Sequence, residues 1–329
     1  MPEGVSVIIC CYNSADRIGC TLEYIASQQL PARVGFQLVI VDNASTDDTV
    51  NVVKKKWTGL NPTNIDLVIA QESKQGLSYA RKKGLSCVAY DYIVFCDDDN
   101  WLDKNYLANV YNFFRINSDV VIVGGAGEPV FNDGTMVPAW FEGFKDNYAT
   151  GKQADHSNNE MQGVYGAGLA IQKKLILDRK FISLPHLLEG RKAGKLSAGE
   201  DSELCLKAQL LGYKVGYLED LKFKHYIPAS RLTWDYFKEL HRGFARSYIA
   251  IHTYQKVLGK KKVTAFSWLE ELFYFTGIYF KYWPRQYLKY RNTEGTVEEI
   301  RHITWGIIAK SYLQYNFKTL RLYRQITKV

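Results

Sequence analysis

The sequence predicts an α/β protein: a mostly parallel central sheet with helices on both faces, followed by a helical extension. Three observations predict it. The first hundred residues alternate short continuous apolar runs with segments of helical period, the pattern of βαβ units. Those runs (VSVIICC, FQLVIVD, IDLVIA, YIVFC) lack polar alternation, as strands buried on both faces do. From about residue 231 the apolar positions keep helical spacing to the end.

Taken in order, residues 5–11 form the first expected strand. Ile18, Leu22 and Ile25 then mark a helix by their spacing. Residues 36–42 are the second strand. Ser45 and Asp48 form a capping-box-like start for a helix striped by Val50, Val53 and Trp57. Residues 65–70 are a strand, 77–89 a helix and 92–96 a strand. Beyond residue 101 the alternation weakens. VVIVGGAGEPVF (120–131) reads as a strand with a glycine-rich turn, and GVYGAGLAIQ (163–172) as a glycine-interrupted strand. Residues 199–215 open on acids and continue as a helix that Gly212 ends. Residues 217–227 are a further strand. Trp234, Phe237, His241, Phe244, Tyr248 and Ile251 then line one side of a helix, and GKKK (259–262) makes a basic turn.

Composition narrows the function classes. The chain has 329 residues, 47% of them hydrophobic, enough for a large core. No uncharged apolar run approaches the roughly 18 residues of a membrane span, and the N-terminus does not read as a signal peptide. None of the six cysteines forms a C-x-x-C pair, which argues against zinc and disulfide frameworks and for a reduced, cytoplasmic protein. Charge is uneven. Residues 1–221 carry 22 Lys+Arg against 27 Asp+Glu, a net −5; residues 222–329 carry 20 against 7, a net +13. A basic end region suits a phosphate, a nucleic acid or an anionic membrane as neighbour, or a plain solvated helical face.

The chemistry concentrates in FCDDDNW. Three adjacent carboxylates at the end of a buried strand repel one another, so a cation belongs there. Mg²⁺ or Mn²⁺ commonly bridges carboxylates to substrate phosphates, and ligands of parallel sheets sit at the carboxyl ends of the strands. Alternation places Asp97 and Asp99 on one side and Asp98 on the other. Asp42 ends the second strand, where a carboxylate accepts a hydrogen bond from a base or ribose, or serves as a turn residue. In GEDSELCL, Glu200 and Asp201 stand at a helix start, as caps or as a general base facing a cleft. His225 is a lone histidine near a strand end, exposed, hydrogen-bonded or a metal ligand. The sequence contains neither G-x-G-x-x-G after a first strand nor G-x-x-x-x-G-K-[ST], so dinucleotide and P-loop fingerprints are absent.

Five motifs in order (VSVIICCYN, LVIVDNASTDDT, QGLSYARKKGL, FCDDDNW and GEDSELCLKAQLLGY) resemble the inverting family-2 glycosyltransferases with the GT-A fold, over roughly residues 5–228. The resemblance implies residues 1–230 as the GT-A domain, with a nucleotide-sugar half (1–101) and an acceptor half (102–230), and residues 231–329 as a basic, aromatic-rich extension. It implies that Tyr12 packs on the nucleotide base and Asp42 contacts it. Arg81 lies near the nucleotide, Asp97 is the ribose- or metal-side acid, and Asp98 adjoins them in the donor site. Asp99, with His225 as a further contact, holds Mn²⁺ or Mg²⁺, and Asp201 is the general base. The donor it favours is a UDP-sugar, and the acceptor a glycan or lipid-linked hydroxyl in cell-surface polysaccharide biosynthesis. Cys10, Lys74 and Asn100 depart from the family pattern, where proline, asparagine and an acid are common.

Two other readings compete: a metal-dependent nucleotidyltransferase, which would have an N-terminal glycine-rich basic loop that VIICCYNSAD lacks, and a non-enzymatic basic protein binding single-stranded nucleic acid. On the transferase reading no nucleic acid is a partner. The extension holds 22 of the chain's 46 aromatic residues in 99 positions. Its stretch YFKYWPRQYLKYR (279–291) either rests on an anionic membrane at the cytoplasmic face or packs on the catalytic body.

Overall fold

A computed structural model describes residues 3–188, 198–284, 288–291, 293–314 and 316–327. Strands β1 (Gly4–Cys11), β2 (Gly35–Asp42), β3 (Ile65–Gln71) and β4 (Tyr92–Asp97) alternate with helices α1 (Ile18–Ala26), α2 (Thr49–Leu60) and α3 (Leu77–Leu85). Then come β5 (Asn100–Leu102), α4 (Tyr106–Ile116), β6 (Val120–Val130), α5 (Phe141–Phe144), β7 (Ala170–Gln172), α6 (Lys173–Leu177), α7 (Arg179–Ser183), α8 (Glu200–Leu210) and β8 (Lys214–Tyr226). The sheet order is β3-β2-β1-β4-β7-β6-β8-β5. Pairings β1–β2, β1–β4, β2–β3 and β6–β8 are parallel, and β4–β7, β6–β7 and β5–β8 antiparallel. This is the mixed, mostly parallel sheet that the sequence predicts.

The period of two along each strand divides the core. Val5, Val7 and Ile9 of β1, Leu38 and Ile40 of β2 and Val94 of β4 pack with Ile18, Leu22 and Phe114 on one face. Ile8, Val39, Val41, Ile93 and Phe95 pack with Ala80 and Cys205 on the other. Both faces are covered, which is why these strands read as unbroken apolar runs.

Several local expectations change. Residues 163–169 are loop, and only Ala170–Gln172 pairs as strand. Gly168 turns the chain at φ +68°, a conformation that a strand does not allow. Ser45 does not cap α2, which starts at Thr49. Its hydroxyl accepts from Asn13 N (3.1 Å), and Asn13 Oδ1 accepts from Thr46 N (2.8 Å), so residues 43–48 tie the ends of β1 and β2 together. Helix α8 closes at Leu210, and Gly212, at φ +83°, ends it as expected.

After the sheet the chain is helical: α9 (Trp234–Leu258), α10 (Ala265–Tyr282), α11 (Leu288–Tyr290), α12 (Val297–Gln314) and α13 (Asn316–Ile326). Thr233 caps α9 by accepting from Tyr236 N, and Thr264 with Ser267 forms a capping box on α10. Trp234 and Phe237 are buried with Phe141 and Tyr148, which fastens α9 to the segment that follows β6. Glu271 of α10 accepts from His252 Nε2 (3.2 Å), Lys256 and the Tyr312 hydroxyl, joining α9, α10 and α12. Among the described residues no helix is long and apolar enough to cross a membrane. Of the stretch 279–291, Tyr279 stacks on His302 and Tyr282 lies against Trp305, so these rings pack inward; residues 285–287 lie outside the described residues.

Candidate active site

The carboxyl ends of β1 and β4, the N-termini of α3 and α8, the end of β8 and one side of α9 enclose a cavity of about 920 Å³. Its lining includes Tyr12, Arg81, Asp97, Asp98, Asp99, Asp201 and His225. Asp42 is not in that lining. It is buried at the end of β2, and its carboxylate accepts from Ser45 N (3.3 Å), whereas the next residue, Asn43, does line the cavity. Asn43 ties the β2 end to the approach to α3: its Nδ2 donates to Lys74 O (2.8 Å) and its Oδ1 accepts from Gly76 N (2.8 Å). Tyr12 is 37% exposed at the cavity edge, with Gln75 Nε2 donating to its hydroxyl (3.3 Å).

The three adjacent aspartates do not share one partner. Asp98 turns toward the loop after β1, where Arg17 Nη2 (2.8 Å) and the Ser14 hydroxyl donate to it. Burial, and behind it the Asp99 charge, push its carboxyl above the usual range against the pull of Arg17. Asp99, 3% exposed, turns the other way: Arg231 Nη1 donates to Oδ2 (2.9 Å), and His225 Nε2 lies 3.6 Å from Oδ1. Asp97 adds to the field on Arg81. Asn100 stabilises the tip, accepting from Asp97 N and donating to Asp99 Oδ1, each at 3.3 Å.

Arg81 binds the second acidic pair. Its Nη1 lies 2.7 Å from both Glu200 Oε1 and Asp201 Oδ1, and its guanidinium sits over the Phe95 ring at 5.0 Å. Burial alone would lower its pKa, but Glu200, Asp201 and Asp97 outweigh that and hold it above its usual range. Gly199, at φ +99°, is the N-cap of α8, and Glu200 and Asp201 directly after it accept from Arg81 of α3. Gly166 allows the approach from the other side. A Cβ there would lie 2.2 Å from Asp201 Oδ2. Cys10 also lines the cavity, but burial pushes its thiol up to about 12, so it is no nucleophile at neutral pH.

A divalent ion fits Asp99 and His225 by the chemistry of the pair. The Tyr148 carbonyl accepts from His225 Nδ1 (2.7 Å), which turns Nε2 toward Asp99 Oδ1. An oxygen and a nitrogen donor thus face one point. Among the described residues no group of three or more His, Cys, Asp or Glu is arranged to hold a metal by itself. An ion here would take its remaining ligands from phosphate and water, the usual state of Mg²⁺ in transferase sites.

Helix α9 forms one wall of the cavity. Tyr236 stacks on Tyr148 (6.1 Å) beside His225. Ser247 packs against Gly199, where a Cβ would meet its Oγ at 2.9 Å, next to Asp201. Tyr248, Ile251, His252 and Gln255 continue the wall beyond. From Tyr236 to Gln255 that side is about 28 Å long. Phe244, Tyr248 and Ile251, the second half of the aromatic stripe, therefore also line the cavity. Sequence reasoning also missed Arg17, Arg231 and Gly166.

A family model described as Glycosyl transferase family 2 matches residues 6–177. Staphylococcus aureus TarP, a poly(ribitol-phosphate) β-N-acetylglucosaminyltransferase, is 29% identical over 181 residues, which cover 54% of this chain and 51% of TarP. The chain spans 32% of the length of two further curated relatives. Among solved structures, S. aureus TarS 1–349 in complex with UDP superposes with a TM-score of 0.52 at 19% identity, covering 98% of this chain and 92% of that one. A Pyrobaculum calidifontis mannosyltransferase in complex with GDP-Man and Mn²⁺ superposes with a TM-score of 0.54 at 16% identity, covering 99% and 76%. These likenesses show the fold.

Proposed function

The chain belongs to glycosyl transferase family 2, with the GT-A fold, and on that footing we propose an inverting, metal-assisted sugar transfer. The donor is a nucleotide-diphosphate sugar, a UDP-sugar foremost. The acceptor is a hydroxyl of a glycan or lipid-linked saccharide in cell-surface polymer synthesis. One observation carries the reading: a single cavity gathers Tyr12, Arg81, Asp97, Asp98, Asp99, His225 and Asp201. The polymer named for TarP and the UDP bound to TarS support the choice of acceptor class and nucleotide.

Tyr12 offers a ring for the base at the cavity edge. Asp97 receives the ribose or the metal side, and Asp98 holds the strand end through Arg17 and Ser14. Asp99 and His225 would hold a Mn²⁺ or Mg²⁺ ion, which would supply positive charge to the departing diphosphate. Asp201, oriented by Arg81, takes the proton from the acceptor hydroxyl as that oxygen bonds to the anomeric carbon, and the bond to the diphosphate breaks. Attack opposite the leaving group inverts the centre, so an α-linked donor gives a β-linked product. Residues 102–230 and the Tyr248–Gln255 side of α9, beyond Asp201, receive the acceptor.

A thermal-shift panel of nucleotide sugars with and without Mn²⁺ tests the donor side. The expected result is a rise with UDP-sugars that is larger with Mn²⁺. The absence of any nucleotide-dependent shift overturns the reading, as does a product of retained anomeric configuration.

A further inference from the structure

Helix α10 presents an outer face that the other described residues leave uncovered. Phe266 (70% exposed), Leu269 (40%), Phe273 (70%) and Phe280 (65%) recur at helical spacing along it. Gly277 falls on the same side, with nothing within 4 Å of where its Cβ would stand. The inner side is well used: Phe275 is buried, Tyr279 stacks on His302 at 4.8 Å, and Glu271 is paired to α9 and α12. The outer row is thus a contiguous apolar strip on a helix that is otherwise anchored, and contiguity is what separates an interaction surface from scattered exposed residues.

Charge decides what covers it. Lys260, Lys261 and Lys262 stand exposed just before the helix, Lys281 is exposed in its last turn, and Lys289 is exposed in α11. Of the two acids in α10, Glu270 is exposed and Glu271 is turned inward. A second copy docked face to face would bring lysines against lysines, whichever way the helices ran. A surface of negative charge receives them instead. The helix is 18 residues, about 27 Å, and does not qualify as a span, so it would lie in the plane of such a surface.

We propose that α10 docks its Phe266–Phe280 face on an anionic lipid bilayer, with the lysines at both ends among the headgroups. The inference is independent of the catalytic reading. Its test is co-sedimentation of the full chain with phosphatidylcholine vesicles, with and without phosphatidylglycerol, at low and high salt. Wild type should bind the mixed vesicles at low salt, bind neutral vesicles far less, and weaken as salt rises. Phe273→Ser with Phe280→Ser, at exposed positions where folding is unaffected, should lower the partition coefficient about tenfold or more. Lys260→Gln, Lys261→Gln and Lys262→Gln together should remove the preference for anionic vesicles. Three outcomes overturn the proposal: no binding, equal binding to both vesicle types, or full binding by the double serine variant. So does a lipid-free dimer, seen by light scattering, that the serine variant dissolves while vesicles bind neither.

Discussion

Arg81 Nη1 and Asp201 Oδ1 lie 2.7 Å apart, although 120 positions separate them in the chain. The pair fixes one oxygen of the carboxylate that the transfer reading makes the base. Asp201→Asn should lower the transfer rate about 10²–10⁴-fold, the range for losing a general base. Nucleotide binding with Mn²⁺ should survive. Asp99→Asn should lower both, because on that reading Asp99 holds the ion together with His225, which faces it at 3.6 Å. Steady-state transfer measured beside Mn²⁺-dependent nucleotide affinity separates the two. Full activity of Asp201→Asn removes Asp201 as the base.

Gly166 gives a subtler test. Its backbone conformation suits alanine, but the added Cβ would fall 2.2 Å from Asp201 Oδ2. Asp201 is partly exposed and can swing away, so the fold should tolerate Gly166→Ala. The displaced carboxylate should cost about 10²-fold in kcat, the scale of a 1 Å misplacement. Unchanged unfolding with reduced kcat is the expected pair of results.

Arg231 neutralises Asp99 in the absence of an ion. Arg231→Gln should destabilise the metal-free protein by about 2 kcal/mol, somewhat below the loss for breaking a fully buried pair. Asp99 then has one competitor fewer, so the thermal shift on adding Mn²⁺ alone should grow. A smaller shift argues against competition between Arg231 and the ion.

Glu271 predicts a pH dependence at the join of α9, α10 and α12. Burial raises its pKa, but hydrogen bonds from His252, Lys256 and Tyr312 outweigh it and hold the carboxyl at about 2, below its usual 4.5. The folded form therefore binds fewer protons than the unfolded form between those values. The stabilisation is present above about 4.5 and is lost as pH falls toward 2. Urea unfolding across that window should show a slope that Glu271→Gln flattens.

The parallel half of the sheet was legible because β1, β2 and β4 are buried on both faces and read as short unbroken apolar runs, which their length and β-branched residues mark as strands. The second half was less so. Strands β5 and β7 are three residues each, too short to show a period, and the glycines of 163–169 suit a strand interruption or a loop equally. The acids of the site were readable from their clustering at a strand end and a helix start. Their cationic partners were not. Arg17 and Arg231 are isolated bases, 81 positions before Asp98 and 132 after Asp99, and nothing local marks them. The stripe of α9 announced a helix correctly, but Tyr248 and Ile251 serve a cavity wall as well as a core, so their side was not decided by composition.

The position of α9 has an evolutionary corollary. A chain ending at Ile227 would retain every strand and all three aspartates, yet the cavity would stand open along one flank. On the proposed reading, exchange of a few side chains on that single helix would offer a lineage a way to change which molecule is decorated while the strand-end acids stay in place.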